Sequence, residues 1–172
     1  MAITKEKKIS IVKNLEAKLA KVNSVVFINF HGLSVANATE LRKSLRAQDI
    51  SLTVAKKTLI RRVLANRSVG GEMPELPGEI ALAYPATPLG AGDDEALAPA
   101  RAVYEFEKKL KDAVKIVGGI FEGKYADAAL MLSIATIPGR EVLYGKFVNI
   151  INSPIQRFVM ALDQIAKKYG KI

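Results

Sequence analysis

Pro138 divides this chain into two parts with different hydrophobic rhythms, and that division constrains the fold more than any single motif. The segment behind it, REVLYGKFVNIINSPIQRFVMALDQIAKKYGKI, is helical in pattern throughout, interrupted only at Ser153-Pro154, and carries no strand signal. Ile155, Phe158, Val159, Leu162, Ile165, Ala166 and Tyr169 recur with a period near 3.5, so they form a seam that needs a partner helix. Roughly sixteen residues of helix reach about 24 Å at 1.5 Å per residue, enough for more than one helical pair. Two fates fit the seam, packing back onto the preceding body or projecting to receive other helices, and the periodicity leaves both open.

Ahead of Pro138 the rhythm alternates between periods of 3.6 and 2. Thr4 is placed to cap a helix over about 5–21, with Ile9, Val12, Leu15, Leu19 and Val22 as its apolar stripe. VVFINF at 25–30 reads as a strand ending at the turn signal His31-Gly32. Ser34 caps a second helix, striped by Val35, Ala38, Leu41 and Leu45, and SLTVA at 51–55 returns as a strand, which makes a β-α-β unit. A short basic helix from Lys56, a loop over 67–78, a strand at 79–84, a loop at 85–95 and a helix over 96–112 follow. Glu105 and Lys109 are spaced as a helix-surface pair. Two short strands, 114–117 and 120–122, are expected on either side of a break at Gly118-Gly119, and then a helix from Asp127 to about Ile137. The expected domains are an α/β body over 1–137 and a helical arm over 138–172.

Charge is distributed as unevenly as hydrophobicity. The chain has 172 residues with 26 Lys and Arg against 17 Asp and Glu, a net of +9. Residues 1–72 hold 14 of the cations and 5 of the acids, so the surplus belongs to the N-terminal part and points to a polyanionic partner. The opening MAITKEKKIS has charge where a signal peptide needs an apolar stretch, and no run approaches the ~18 to 20 apolar residues of a membrane span. A cytoplasmic protein is expected, and a lipid-surface role for the last helix leaves the N-terminal charge unexplained. There is no Cys and a single His, which excludes disulfides, thiolate sites and the usual zinc triads.

Enzymatic readings fare poorly. Gly118 to Lys124 matches G-x-x-x-x-G-K, yet Tyr125 stands where Ser or Thr would hold magnesium, and the flanks predict strands where a phosphate loop must open into a helix. A small phosphotransferase using that loop is the rival reading. His31 has no second catalytic partner readable nearby, and Asp93, Asp94 and Glu95 are best placed to favour the N-terminus of the helix behind them. Neither a catalytic group, a metal site nor a cofactor is expected. The strongest signal is a basic set, Lys5, Lys7, Lys8, Arg42, Lys43, Arg46, Lys56, Lys57, Arg61 and Arg62, on three helical segments that a β-α-β fold could gather on one surface to bind phosphates. A stand-alone RNA-binding module whose last helix folds back is a lesser rival.

Four stretches, HGLSVANATELRKSLRA, VAKKTLIRRVL, VGGIFEGK and IATIPGREVL followed by NSPIQRFVMAL, together resemble the bacterial form of large-subunit ribosomal protein ten, the base of the ribosomal stalk. The resemblance runs over nearly the whole chain in the right order. It implies a non-catalytic scaffold: an α/β (α+β) body with a ferredoxin-like layered sheet and helices, plus a projecting C-terminal α-helix. The body would bind large-subunit ribosomal RNA at the GTPase-associated region, beside ribosomal protein eleven. The helix would hold dimers of the acidic stalk protein seven/twelve, which recruit translational GTPases.

Carried over by position, the family's turn falls on Gly32, Leu33, Ser34 and Val35, its Leu-Arg-x-x-Leu-Arg stretch on Leu41, Arg42, Leu45 and Arg46, and its Lys-Asn-Thr-Leu stretch on Lys56, Lys57, Thr58 and Leu59. Gly32, Leu33, Ser34 and Thr58 therefore join the basic set as RNA-binding candidates, and the seam from Ile155 to Tyr169 becomes the stalk-protein site. The departures are Ser34, Lys57 and Gly139. Ser34 keeps a capping hydroxyl, Lys57 exchanges an amide for a cation and so trades a base-specific contact for phosphate attraction, and Gly139 loosens the joint to the arm. The length beyond Pro154 implies two stalk dimers rather than three.

Overall fold

The computed structural model describes residues 5–20, 22–67, 69–86, 93–110 and 113–169, and for Lys5 and Asp93–Glu95 the backbone alone. The expected cap Thr4 and the side chains of Lys5, Asp93, Asp94 and Glu95 lie outside the described residues. The elements in chain order are α1 (Lys5–Leu19), β1 (Val25–Asn29), α2 (Val35–Ala47), β2 (Ile50–Val54), α3 (Lys57–Ala65), β3 (Ile80–Pro85), α4 (Asp93–Lys109), β4 (Lys115–Phe121), β5 (Lys124–Asp127), α5 (Ala128–Ala135) and α6 (Arg140–Tyr169). The chain divides into two compact units, Met1–Ile137 and Pro138–Ile172.

In the first unit one sheet has the order β2-β3-β1-β4-β5, and every neighbouring pair is antiparallel. β1 and β2 are therefore parallel to each other with β3 between them, a split β-α-β unit. Together with β3-α4-β4 this is the ferredoxin-like order 2-3-1-4, to which α1, α3 and the β5-α5 edge are added. Strand alternation divides the core into two layers. Val26, Ile28, Ala81 and Ala83 point to the layer containing Leu41 and Leu45 of α2, Val103 of α4 and Met131 of α5. Val25, Phe27, Ile80 and Leu82 point to the opposite layer, with Leu15 and Leu19 of α1 and Ile60, Val63 and Leu64 of α3. Phe27 and Leu82 are fully buried at the middle of that second layer.

Two expected boundaries change. The glycine pair does not separate two strands: β4 runs unbroken from Lys115 to Phe121, with the pairing register against β1 shifting between Phe27 and Ile28, and the next strand is Lys124–Asp127 after the Glu122-Gly123 turn. A bulge of this kind accommodates glycine without ending the ladder. Nor does Ser153-Pro154 interrupt the last helix; α6 continues for 30 residues through Pro154. Proline removes one backbone donor from the helix, a local loss that the turns on either side outlast.

Glu107 on α4 is a carboxylate whose acidity is shifted by burial. Loss of water raises its pKa above the usual carboxylate range, with the Ile116 backbone and Lys115 pulling it part of the way back, and its Oε2 is buried without a hydrogen-bond partner. Ionisation is thus disfavoured in the fold. Stability from this group is fully present below the ordinary glutamate pKa and is lost as pH rises through the raised folded value. Denaturant titrations from about pH 4 to about pH 8 should show that decline, and Glu107→Gln should flatten it.

Candidate nucleic-acid interface and helical seam

Because β1 and β2 are parallel and β3 is antiparallel to both, the end of β1, the end of β2 and the start of β3 meet at one end of the sheet, with Asn29 opposite Ile80 and Val54 opposite Ala81. The turn after β1 is built locally. The His31 N–H donates to Asn29 Oδ1 at 3.0 Å, Gly32 takes φ +82°, and the Asn37 N–H donates to Ser34 Oγ at 3.3 Å to cap α2. Gly32 and Ser34 are exposed there and Leu33 is half-buried. Beside them α3 starts at Lys57, with Lys56 at the cap position contributing no side-chain bond and Lys56, Lys57 and Thr58 all exposed.

Helix α1 leads back to the same end. Ile11, Asn14, Leu15 and Lys18, one row at helical spacing, line a groove of about 850 Å³ whose other walls come from Phe30, the segment Thr53–Leu59 and the segment Gly78–Ile80. Lys7 and Lys8 extend that row by one turn and are exposed. The fold thus gathers Lys7, Lys8, Gly32, Leu33, Ser34, Lys56, Lys57 and Thr58. Arg61 and Arg62 are exposed on α3, in the same helical layer as α1.

Arg42, Lys43 and Arg46 do not join them on one surface as expected. Leu41 and Leu45 turn α2 toward the opposite layer, so its cations are exposed on the other side of the sheet from α1 and α3. The cause lies in the connections: α2 carries the chain over β3 between two parallel strands and buries Leu41 and Leu45 on that face, whereas Ile60, Val63 and Leu64 bury α3 with α1 on the other. Among the described residues, none of Lys7, Lys8, Arg42, Lys43, Arg46, Lys56, Lys57, Arg61 and Arg62 is paired with a carboxylate.

The phosphate-loop pattern has no counterpart in space. Gly118 and Gly119 lie inside β4, Lys124 opens β5, and the next helix begins only at Ala128. His31 is exposed, and the described residues hold no group of three His, Asp or Glu fit to bind a metal ion.

In the second unit no residue of α6 is buried. Ile155, Phe158, Val159, Leu162, Ile165, Ala166 and Tyr169 are all exposed, Phe158 at 65% and Leu162 at 50%. The apolar row begins earlier than the periodicity after Pro154 suggests, because Leu143, Phe147, Ile150 and Ile151 are exposed at compatible spacing. Polar residues, including the Lys167–Asp163 pair at 2.6 Å, share the rest of the helix with the exposed Val142, Tyr144, Val148 and Met160. No helix among the described residues is long and apolar enough to cross a membrane.

The model of the family described as ribosomal protein L10 matches residues 3–108. The chain belongs to the ribosomal protein L10 family. Large ribosomal subunit protein uL10 of Shouchella clausii is 34% identical over 95% of this chain and 93% of its own length. The uL10 proteins of Burkholderia lata and Ralstonia pickettii are 32% and 31% identical, each over 96% of their length. The L10 family is structural and non-catalytic, so this member is a component of the large ribosomal subunit, a ribonucleoprotein of translation. The family match ends at residue 108, whereas the similarity to whole uL10 chains takes in α6 as well.

Proposed function

We propose that the first unit anchors this protein to large-subunit ribosomal RNA through the basic end of its sheet, and that α6 holds dimers of the acidic stalk protein seven/twelve. The observation that carries the reading is the set of exposed cations, unpaired among the described residues, around the strand ends, together with a separate 30-residue helix that buries none of its residues. Lysines and arginines without carboxylate partners are free to neutralise phosphates and release their counterions. An amphipathic helix whose apolar row is solvated gains by covering that row with partner helices. In this reading stalk dimers sit along α6, ribosomal protein eleven is a neighbour on the RNA, and the dimers bring in translational GTPases.

The RNA half is tested by Arg61→Ala with Arg62→Ala. Affinity for protein-free large-subunit RNA should fall, and the slope of log affinity against log salt should flatten by roughly one unit for each phosphate no longer neutralised. An unchanged salt titration would remove α3 from the interface. Capture of the acidic stalk protein should be unaffected.

A further inference from the structure

We propose that the groove between α1, the β2–α3 turn and the start of β3 takes in one unstacked nucleotide of the bound RNA, with its base on the apolar floor and its phosphate against the lysines of the rim. The inference rests on the RNA-binding reading above and specifies the kind of RNA: a loop or bulge with a splayed base, not a continuous duplex.

The lining has the composition that such a unit requires. Its volume, about 850 Å³, and its predominantly apolar walls are those of a small-molecule site. Ile11 and Leu59, which belong to the α1 and α3 side of the sheet, supply with Ala55 the apolar surface against which a base can lie, while the Phe30 ring packs on the α2 side and contributes only at the strand end. Lys18, Lys56 and Lys57 line the same groove without carboxylate partners among the described residues, so an apolar floor and a cationic rim coincide.

Two polar groups can read a base edge. Asn14 lines the groove with an amide that makes no hydrogen bond among the described residues, and Glu79, the one carboxylate that the described residues contribute to the lining, can accept from an exocyclic amino group. A paired A-form helix fits poorly. Its bases are stacked, its major groove is closed to side chains, and its phosphates would engage the lysines while leaving the floor in water. A splayed nucleotide satisfies floor, amide and rim together.

The test uses the full chain on protein-free large-subunit RNA, probed by hydroxyl radicals for the backbone and by dimethyl sulfate and a carbodiimide for unpaired bases. Asn14→Trp fills the groove from an exposed position on α1, and Thr58→Trp does so from α3 should the first variant fail to fold. The wild-type chain should shield a stretch of backbone and at least one unpaired base. Either folded variant should restore that base's reactivity, keep the backbone protection and lose about tenfold in affinity, the scale of one stacked base.

Base reactivity that is the same with wild type and variant overturns the proposal, and so does protection confined to paired RNA. Absence of any backbone protection by the wild type overturns the RNA-binding reading itself. A parallel titration with adenosine monophosphate separates the sources: a free nucleotide that fills the groove, with no RNA base shielded, also overturns it.

Discussion

Phe158→Asp combined with Leu162→Asp is expected to abolish co-purification of the acidic stalk protein while RNA binding persists. Both side chains stand well out in solvent, at 65% and 50% exposure, so their replacement removes nothing from a core in the isolated chain. Circular dichroism should report the same helix content. In a complex the two positions would be covered, and an unpaired carboxylate removed from water costs several kcal/mol. At 1.4 kcal/mol per tenfold, two such groups lower affinity by about three orders of magnitude or more. Undiminished co-purification of the double variant would refute the assignment of α6 as the stalk anchor.

The largest expected effect on stability is Gly119→Val. A Cβ at this position would lie 2.5 Å from the Val25 carbonyl oxygen and 2.9 Å from Met131 Cε, a collision with the backbone of the central strand on one side and with the core on the other. The oxygen belongs to β1, which is held between β3 and β4 and has no room to retreat. Overpacking of this kind costs about 3 kcal/mol or more, a large share of the ~5 to 15 kcal/mol that holds a domain together. The melting temperature of the body should fall by about 10 °C or more. Gly123→Ala is the contrast. Its Cβ meets nothing within 4 Å, and only the φ of +76° opposes it, at about 1 kcal/mol. Equal losses from the two variants would refute the packing argument.

Gly119 and its neighbour mark what can and cannot be read from the amino acids. Hydrophobic rhythm and capping residues locate the elements well: VVFIN is a buried strand, Ser34 caps α2 through the Asn37 N–H, and the period-3.5 row past Pro154 lies on an exposed helix. Gly118-Gly119 reads as punctuation because glycine usually ends a strand. Here it is required by a neighbouring backbone and a methionine that arrive from 94 and 12 residues away, which no local window contains. Pro154 misleads in the same way, since its missing N–H is a local fact whereas helix continuation depends on the flanking turns.

The basic set is legible as a group of residues and only partly as a surface. Exposure of Lys56, Lys57, Arg61 and Arg62 follows from the burial of Ile60, Val63 and Leu64 between them. That α1 and α3 cover the opposite face from α2 is decided when the strands assemble, and no single helix carries the signal for it. The groove is not legible, because Asn14, Phe30 and Val54 carry no signal individually and meet only when three distant segments converge. Leu143, Phe147, Ile150 and Ile151 escape for a simpler reason: a row counted from Pro154 onward begins after them.

The place of β1 at the middle of the sheet has a consequence for biosynthesis. It is the first strand to leave the ribosome, yet its pairing partners are Ile80–Ala83 on one side and Lys115–Ile120 on the other. At ~5 to 20 residues per second, both edges of this apolar segment go unsatisfied for seconds after it emerges. The nascent chain therefore presents an aggregation-prone edge during its own translation, and the body can close only once most of the polypeptide has been made.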